Sequence, residues 1–261
     1  MMVGVSEAST ETVHGAPVVA PALSGPALTA QRWEDLTFLH WPVDPAAVAP
    51  FFPAGSRPDV LDGVTYVGLI PFVMRGAGPT AHLAVPYFGD FCETNVRLYS
   101  VDDEGRHGVV FRSLEGSRLA TTLLARLGLG LPYTWARMRH RVGFTADAAT
   151  EHTYTTRRRW PGRGPGGTVT VQVGEQVEPT ELETWLTARW GLHTDLRGRT
   201  VWIPNEHPAW ELRAATLTRL DDSLVAAAGI DLAGASMLRP LFSPGVRTTF
   251  GVPRRVGAAT G

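Results

Sequence analysis

The stretch of residues 91–99 contains the side chains best suited to chemistry, because polar and aromatic residues alternate there with small apolar ones. Glu93, Asn95 and Arg97 stand two positions apart, and a period of two places them on one face of a β-strand. Neighbours on that face can contact the same small ligand, whereas Glu93 and Arg97 lie about 13 Å apart along the strand and would bracket a molecule. The spacing predicts the wall of a pocket. A buried polar network that fixes the strand register, or a solvated face, is the alternative.

Each of these three side chains suits a role in such a pocket. A carboxyl such as that of Glu93 gains proton affinity by desolvation and loses it to a nearby arginine, and it can move a proton next to a carbonyl group. The planar guanidinium of Arg97 can bind a carboxylate or an enolate oxygen. The Asn95 amide can orient a ligand by a hydrogen bond. We therefore predict Glu93 and Arg97 as catalytic residues and Asn95 as a substrate-binding residue.

Four further residues are candidates for the same pocket. Tyr99 ends the polar face of the strand, and His40 lies in an aromatic stretch, where a packed core histidine is the alternative. Ser113 and Glu115 alternate along the strand that we expect to pair with the first one, so both could reach the pocket. We predict all four as substrate-binding residues.

The composition excludes several mechanisms. The chain contains no lysine, so all 24 basic residues are arginines. A side-chain Schiff base, covalently held pyridoxal phosphate and a P-loop lysine are therefore excluded. The single cysteine, Cys92, excludes an intrachain disulfide and a cysteine-based zinc site. No Gly-x-Gly-x-x-Gly motif follows a strand and opens a helix, and a hydrolase nucleophile elbow and histidines at ligand spacing are missing, so we predict no cofactor and no metal. A metal site would have to be assembled across strands.

Length and charge define the class of protein. A chain of 261 residues with a formal net charge of −1 can build a sizeable core and does not resemble an electrostatic nucleic-acid binder. No apolar run reaches about 18 residues, so we predict no membrane span. We expect a disordered leader over residues 1–30, a single domain over 31–255 and a tail over 256–261. Without a secretory signal we expect a cytoplasmic protein, and the sequence leaves its oligomeric state open.

Strand patterns outnumber helical ones. Helices are predicted at 45–49 after Asp44, at 118–127, and from a capping box at Thr180 and Glu183 to residue 190. Strands are predicted at 36–41, 64–74, 91–99, 109–114, 133–144, 151–160, 168–175, 201–204, 210–220 and 248–252. Because strands and helices do not alternate regularly, we predict an α+β fold, mainly antiparallel β, in the form of a barrel or curled sheet with a few flanking helices.

Seven short motifs occur in a fixed order along residues 30–252: His40-Trp41-Pro42, Pro71-Phe72, Glu93-x-Asn95-x-Arg97-x-Tyr99, Phe111-x-Ser113-Leu114-Glu115, Leu131-Pro132-Tyr133, His207-Pro208-x-Trp210 and Ser243-Pro244-Gly245-Val246. The set resembles DUF2071 (YqjF-like), a family of uncharacterised bacterial proteins related to the acetoacetate decarboxylase-like superfamily. The resemblance implies a β-barrel with a central cavity, in which Glu93 matches the strand glutamate of the decarboxylases.

The resemblance does not carry the decarboxylase mechanism with it. Acetoacetate decarboxylase works through a lysine Schiff base, and this chain has no lysine. What the resemblance leaves is a cavity for a keto acid or another small carbonyl compound. Relatives in the superfamily perform aldol, dehydration or cyclisation chemistry, so the fold does not fix the reaction.

Two candidate functions follow from the predicted pocket, and a third candidate function does not require a pocket. The first is a cofactor-independent lyase, isomerase or cyclase that acts by acid/base chemistry on a small carbonyl or carboxylate compound. The alternative is a protein that binds or senses a small ligand without turnover. A structural or partner-binding protein is the third, because eight tryptophans leave room for an exposed aromatic patch.

Overall fold

The structure is a computed structural model that describes residues 11–78, 89–232 and 234–257. The strands are β1 (Thr12–Val13), β2 (Ala16–Pro17), β3 (Thr29–Val43), β4 (Ser56–Pro58), β5 (Thr65–Gly78), β6 (Phe91–Asp102), β7 (His107–Gly116), β8 (Tyr133–Phe144), β9 (Thr150–Trp160), β10 (Gly166–Gln176), β11 (Gly191–Asp195), β12 (Thr200–Glu206), β13 (Arg213–Asp222), β14 (Leu241–Phe250) and β15 (Arg254–Arg255). The α-helices are α1 (Pro45–Val48), α2 (Leu119–Leu129), α3 (Glu181–Thr187) and α4 (Leu224–Ala227), and a 3-10 turn, Ala49–Phe51, follows α1.

Thirteen of these strands form one sheet that closes on itself in two ways. The first closure runs from β7 through β8, β9, β10, β13, β14, β3, β5 and β6 back to β7. The second leaves β7 through β11 and β12 and returns to β14. The strands β14, β3, β5, β6 and β7 belong to both closures, so each of their two faces is covered by a different part of the protein.

The predicted fold class is confirmed, because the sheet is mainly antiparallel and the helices are few. Parallel pairing occurs only between β7 and β11 and between β7 and β8 in the described part of the chain. Inside the first closure, Val96 and Leu98 of β6 pack with Leu39 of β3 and Leu69 of β5 in a buried apolar core. This packing is the predicted apolar face of β6. No helix among the described residues is long and apolar enough to cross a membrane.

Local signals at the starts of α1 and α3 agree with the structure, whereas α2 begins at Leu119 without a side-chain cap. Asp44 caps α1 by accepting a hydrogen bond from the Ala46 amide, and Thr180 and Glu183 form the capping box of α3. The end of α3 differs from the prediction, since the helix stops at Thr187 instead of residue 190. Ala188 leaves the helix with φ −79° and ψ 75°, and β11, which the sequence patterns do not reveal, begins at Gly191 and pairs with β12.

Part of the predicted leader is ordered. Strands β1 and β2 pair as a short hairpin, and Ala16 is buried in the core around Trp185. The Trp190 indole donates a hydrogen bond of 2.7 Å to the Pro17 carbonyl, which ties the hairpin to the body of the protein. Strand β3 also begins at Thr29, within the predicted leader. Residues 1–10 and most of the predicted tail, 258–261, lie outside the described residues.

Glycines allow β7 and β11 to come close where the second closure begins. A Cβ atom on Gly108 would lie 2.6 Å from the Gly191 carbonyl oxygen and 2.5 Å from the Trp202 ring. A Cβ atom on Gly191 would lie 2.3 Å from the same ring. Real Cβ contacts are not this short, so the packing of Trp202 over this junction requires glycine at both positions.

We expect Gly108→Ala to lower the free energy of unfolding by about 1–3 kcal/mol, because the added methyl group overpacks the junction. Denaturant unfolding measures the change. Gly143→Ala is the matched control, since a Cβ atom on this strand glycine has no neighbour within 4 Å. A similar change in both variants would contradict the close approach of β7 and β11.

Candidate functional site

A cavity of about 660 Å³ lies inside the second closure. Strands β3, β5, β6, β7, β11 and β12 contribute to its wall, and most of the lining side chains are apolar or aromatic. They include Trp33, Ile70, Phe72, Leu114, Ile203 and Trp210. Glu93, Asn95 and Arg97 of β6 line the same cavity, so the structure brings together the three residues whose spacing predicts a pocket wall.

The Glu93 carboxyl group is 3% exposed and holds a proton more tightly than an ordinary glutamate. Burial raises its pKa to about 7, and the charge of Glu115 contributes in the same direction. Hydrogen bonds from Tyr133 and Asn95 act against the rise. The Tyr133 hydroxyl donates to Glu93 Oε2 over 2.7 Å, and burial and Glu93 hold the pKa of this phenol well above its ordinary value. The carboxyl group can therefore hold and release a proton near neutral pH.

The Arg97 guanidinium has no carboxylate partner within ion-pair distance among the described residues. Its Nη2 atom donates to the Tyr99 hydroxyl over 3.2 Å and to the Leu186 carbonyl over 3.4 Å. Its carbon atom lies 5.5 Å from the Tyr99 ring centroid and 6.0 Å from that of Phe38. Because aromatic rings and neutral oxygens do not cancel a full positive charge, the cavity favours an anion at this position.

Tyr99 and His40 lie behind Arg97 and do not line the cavity, contrary to the sequence-based prediction that they contact a substrate. The Tyr99 hydroxyl accepts from Arg97 and lies 2.6 Å from His40 Nε2. Burial, together with the charges of Arg97 and Arg189, holds the pKa of His40 well below its ordinary value, so the ring beside the Tyr99 hydroxyl is neutral. This chain of hydrogen bonds orients Arg97.

Ser113 and Glu115 lie on the opposite face of the sheet from the cavity, which corrects their predicted placement. Ser113 pairs with Val96 and Glu115 with Thr94, and paired residues share a face. A bulge at Arg112 then shifts the register, so that Phe111 and Val109 face the cavity instead. The Glu115 carboxylate accepts hydrogen bonds from Ser113, Thr134 and Arg158 within the protein.

A second arginine at the cavity, Arg189, is held by a buried ion pair. Its Nη1 atom donates to Asp59 Oδ2, which also lies 2.7 Å from His107 Nδ1. Although burial opposes it, the hydrogen bond of His107 and the charge of Arg189 hold the pKa of Asp59 below its ordinary value. The Arg189 guanidinium also lies over the rings of Trp185 and Tyr99. Asp59 therefore balances the charge of Arg189, whereas that of Arg97 stays unbalanced.

Buried polar atoms without a hydrogen-bond partner concentrate at the cavity. Five of the nine such side chains in the described part of the chain line it, namely Trp33, Asn95, Arg97, Arg189 and Asn205. Buried polar groups in native proteins are nearly always hydrogen-bonded. Two amide oxygens, two guanidinium nitrogens and an indole nitrogen of cavity-lining residues therefore have no hydrogen-bond partner among the described residues.

The sequence analysis assigns no site role to Tyr133, Arg189 or His207, although Tyr133 and His207 belong to the motifs that carry the family resemblance. Tyr133 begins a strand and Arg189 follows α3, and neither belongs to a local pattern of polar residues. His207 donates from Nδ1 to the Pro208 carbonyl, and burial lowers its pKa to about 4, so the ring is neutral beside Trp210.

A family model described as DUF2071, an uncharacterized conserved protein, matches residues 30–247 of the chain. The uncharacterized protein YqjF of Bacillus subtilis (strain 168) is 27% identical over 204 residues, which cover 77% of this chain and 82% of that protein.

Two solved structures with the same fold are enzymes by name. The enduracididine biosynthesis enzyme MppR complexed with pyruvate has a TM-score of 0.60 and 14% identity, with 91% of this chain and 93% of that one covered. Acetoacetate decarboxylase from Legionella pneumophila subsp. pneumophila str. Philadelphia 1 has a TM-score of 0.59 and 14% identity, with 98% of this chain and 100% of that one covered. The predicted acetoacetate decarboxylase-like fold is confirmed.

We expect Asp59→Asn to lower the free energy of unfolding by about 3–5 kcal/mol, because it leaves the buried Arg189 charge without a partner. The matched control is Asp103→Asn, which breaks the surface pair with Arg57, where both side chains are more than half exposed. That change should cost at most about 1 kcal/mol. Urea unfolding of both variants measures the difference, and equal losses would contradict the pairing of Asp59 with Arg189.

Proposed function

This chain belongs to the DUF2071 family, and we propose that its cavity binds a small carboxylate or carbonyl compound and transfers a proton through Glu93. In this proposal the protein is a cofactor-independent enzyme of the lyase, isomerase or cyclase type. The unbalanced charge of Arg97, in the same cavity as a carboxyl group with a pKa of about 7, is the observation that carries the proposal.

The charge of the cavity supports an anionic ligand. At neutral pH Glu93 is partly protonated, Asp59 balances Arg189, and Arg97 contributes a positive charge that no carboxylate within ion-pair distance offsets in the described part of the chain. A guanidinium binds a carboxylate through two parallel hydrogen bonds and can equally stabilise an enolate oxygen. We assign Arg97 to the ligand carboxylate or developing oxyanion, with Asn95 as a further hydrogen-bonding group.

The size and lining of the cavity support a compound with an apolar part. A volume of about 660 Å³ falls within the range of small-molecule sites. Stacked and edge-on aromatic rings form one end, where the Trp33 and Trp210 rings are 6.0 Å apart and Phe72 meets Trp33 edge-on. Such a surface binds hydrocarbon or aromatic groups, so we expect a carboxylate that carries an apolar substituent.

A carboxyl group that titrates near neutrality suits proton transfer at carbon. Removal of a proton next to a carbonyl group requires a base of matched pKa and stabilisation of the enolate oxygen. Glu93 would be the base, Arg97 would stabilise the oxygen, and the Tyr133 hydroxyl would donate to the Glu93 carboxylate. The protein carries no lysine, so the reaction does not pass through a side-chain imine. The binding of pyruvate to MppR, which shares the fold, supports a keto acid as the compound class.

A protein that binds or senses the ligand without turnover is the second candidate. It is favoured by the contacts of Glu93 with Tyr133 and Asn95, which form a polar network without any substrate. Both candidates use the same cavity and the same anion site. They differ only in whether Glu93 exchanges its proton with the ligand.

We expect Arg97→Ala to weaken the binding of a 2-keto acid by about 1.5–3 kcal/mol, the contribution of a hydrogen bond to a charged group. Calorimetric titration with pyruvate and with keto acids of increasing apolar chain length measures the affinity. Arg32→Ala is the control, since this arginine is exposed on β3 and pairs with Glu34. Equal affinities in the wild-type protein and Arg97→Ala would remove Arg97 from the site.

We expect Glu93→Gln to lower proton exchange at the α-carbon of a bound keto acid by at least about 100-fold while ligand affinity changes only a few-fold. The amide oxygen still accepts the Tyr133 hydrogen bond but cannot take up a proton. Nuclear magnetic resonance in deuterated water measures the exchange, with the surface variant Glu211→Gln as control. Unchanged exchange in Glu93→Gln would exclude Glu93 as the base, and binding without exchange in the wild-type protein would favour the second candidate.

A further inference from the structure

Three potential metal ligands from three strands converge outside the cavity. Asp35 lies on β3, His140 on β8 and His152 on β9, and one ligand atom from each lies within 4.8 Å of the other two. His140 Nε2 and His152 Nδ1 are 3.0 Å apart. The nearest carboxylate oxygens of Asp35 are 3.9 Å from His140 Nδ1 and 4.0 Å from His152 Nδ1. None of the three residues lines the 660 Å³ cavity.

The two imidazole rings present an unprotonated nitrogen. Two ring nitrogens 3.0 Å apart share one proton in a hydrogen bond, so one of them carries no proton and accepts through its lone pair. The rings lie nearly parallel, with 22° between their planes and 5.2 Å between their centroids. A cation placed between the nitrogens would displace the shared proton, which would move to the other ring nitrogen of the donor histidine.

Surrounding contacts hold the three ligands in place. The Tyr154 hydroxyl donates to the Asp35 carbonyl, and the Tyr154 ring stacks on His140 with 4.7 Å between centroids. The Phe242 ring lies 4.6 Å from that of His152. Asp35 itself has a φ of 52°, at a break in the register between β3 and β5 that turns it away from regular pairing. Supporting contacts of this kind orient the ligands of metal sites.

Two carboxylates offset the charge of Arg75 beside the three ligands. Arg75 is the arginine that acts electrostatically on both Asp35 and His140. Its guanidinium lies 3.6 Å from carboxylate oxygens of both Glu34 and Asp90, which offset its positive charge. Asp35 adds a further carboxylate on the side of the histidines.

We propose that Asp35, His140 and His152 bind a divalent transition-metal cation. Two imidazoles and one carboxylate are a ligand set typical of zinc and of non-haem iron. A tetrahedral Zn²⁺ ion with bonds of about 2.0–2.1 Å holds its ligand atoms about 3.3 Å apart, and one ligand atom from each of the three residues already lies within 4.8 Å of the other two. Three protein ligands leave a coordination position open, and His140 also lines a second cavity of about 470 Å³ that includes Cys92.

Calorimetric titration of the full chain with ZnCl₂, after treatment with a chelator, tests the proposal. We expect one equivalent of Zn²⁺ to bind to the wild-type protein. Affinity should fall by at least about tenfold in Asp35→Asn and in the double variant His140→Gln/His152→Gln. His14→Ala, which removes a histidine outside the cluster, should bind as the wild-type protein does. Circular dichroism shows whether each variant keeps the fold.

Two outcomes would overturn the proposal even if the Asp35, His140 and His152 variants failed to fold. The first is no stoichiometric uptake of Zn²⁺ by the wild-type protein. The second comes from X-ray absorption spectra of the Zn²⁺-loaded wild-type protein, in which we expect nitrogen and oxygen ligands with two imidazoles. A sulfur ligand in those spectra, together with loss of binding in Cys92→Ser, would place the ion on the cysteine instead.

Discussion

Strand β6 belongs to both closures of the sheet, and the removal of its two faces from water governs the chemistry of the site. On one face this burial stabilises the packing of Val96 and Leu98 in an apolar core. On the other face the same burial falls on Glu93 and raises the pKa of its carboxyl group to about 7. On a protein surface this carboxyl group would be an anion at neutral pH. Here burial removes its hydration, and the hydrogen bonds from Tyr133 and Asn95 do not fully compensate, so it exchanges a proton near neutrality.

The charge of the cavity depends on whether each of its two arginines, Arg97 and Arg189, has a carboxylate partner. Arg189 meets Asp59, so its positive charge is offset inside the protein. Arg97 meets the Tyr99 hydroxyl and a backbone carbonyl, which fix its direction without offsetting its charge. Together with a carboxyl group that is partly protonated, this leaves the cavity net positive. In the proposed function, the preference for an anionic ligand therefore depends on partners that lie outside the cavity wall.

Local sequence patterns correctly predicted which residues of β6 share a face, because that depends only on neighbours in the chain. They did not predict which residues of β7 face the cavity, because that depends on the register between strands. Strict alternation placed Glu93, Asn95 and Arg97 on one face of β6. The opposite face, with Val96 and Leu98, is apolar as expected. The placement of Ser113 and Glu115 was not predictable, because one extra residue at Arg112 reverses the faces of β7 relative to β6.

Contacts between distant segments escaped prediction for the same reason. Tyr133 is 40 positions from the carboxyl group to which it donates, and Asp59 is 130 positions from Arg189.

The most direct test of the proposed site is the pKa of the Glu93 carboxyl group. It can be measured by ¹³C nuclear magnetic resonance of glutamate-labelled protein across pH, with Glu93→Gln to assign the signal. We expect the Glu93 signal to titrate near pH 7. A Glu93 signal that titrates near its ordinary value of 4.5 would contradict it, because the carboxyl group would then be a permanent anion beside Arg97.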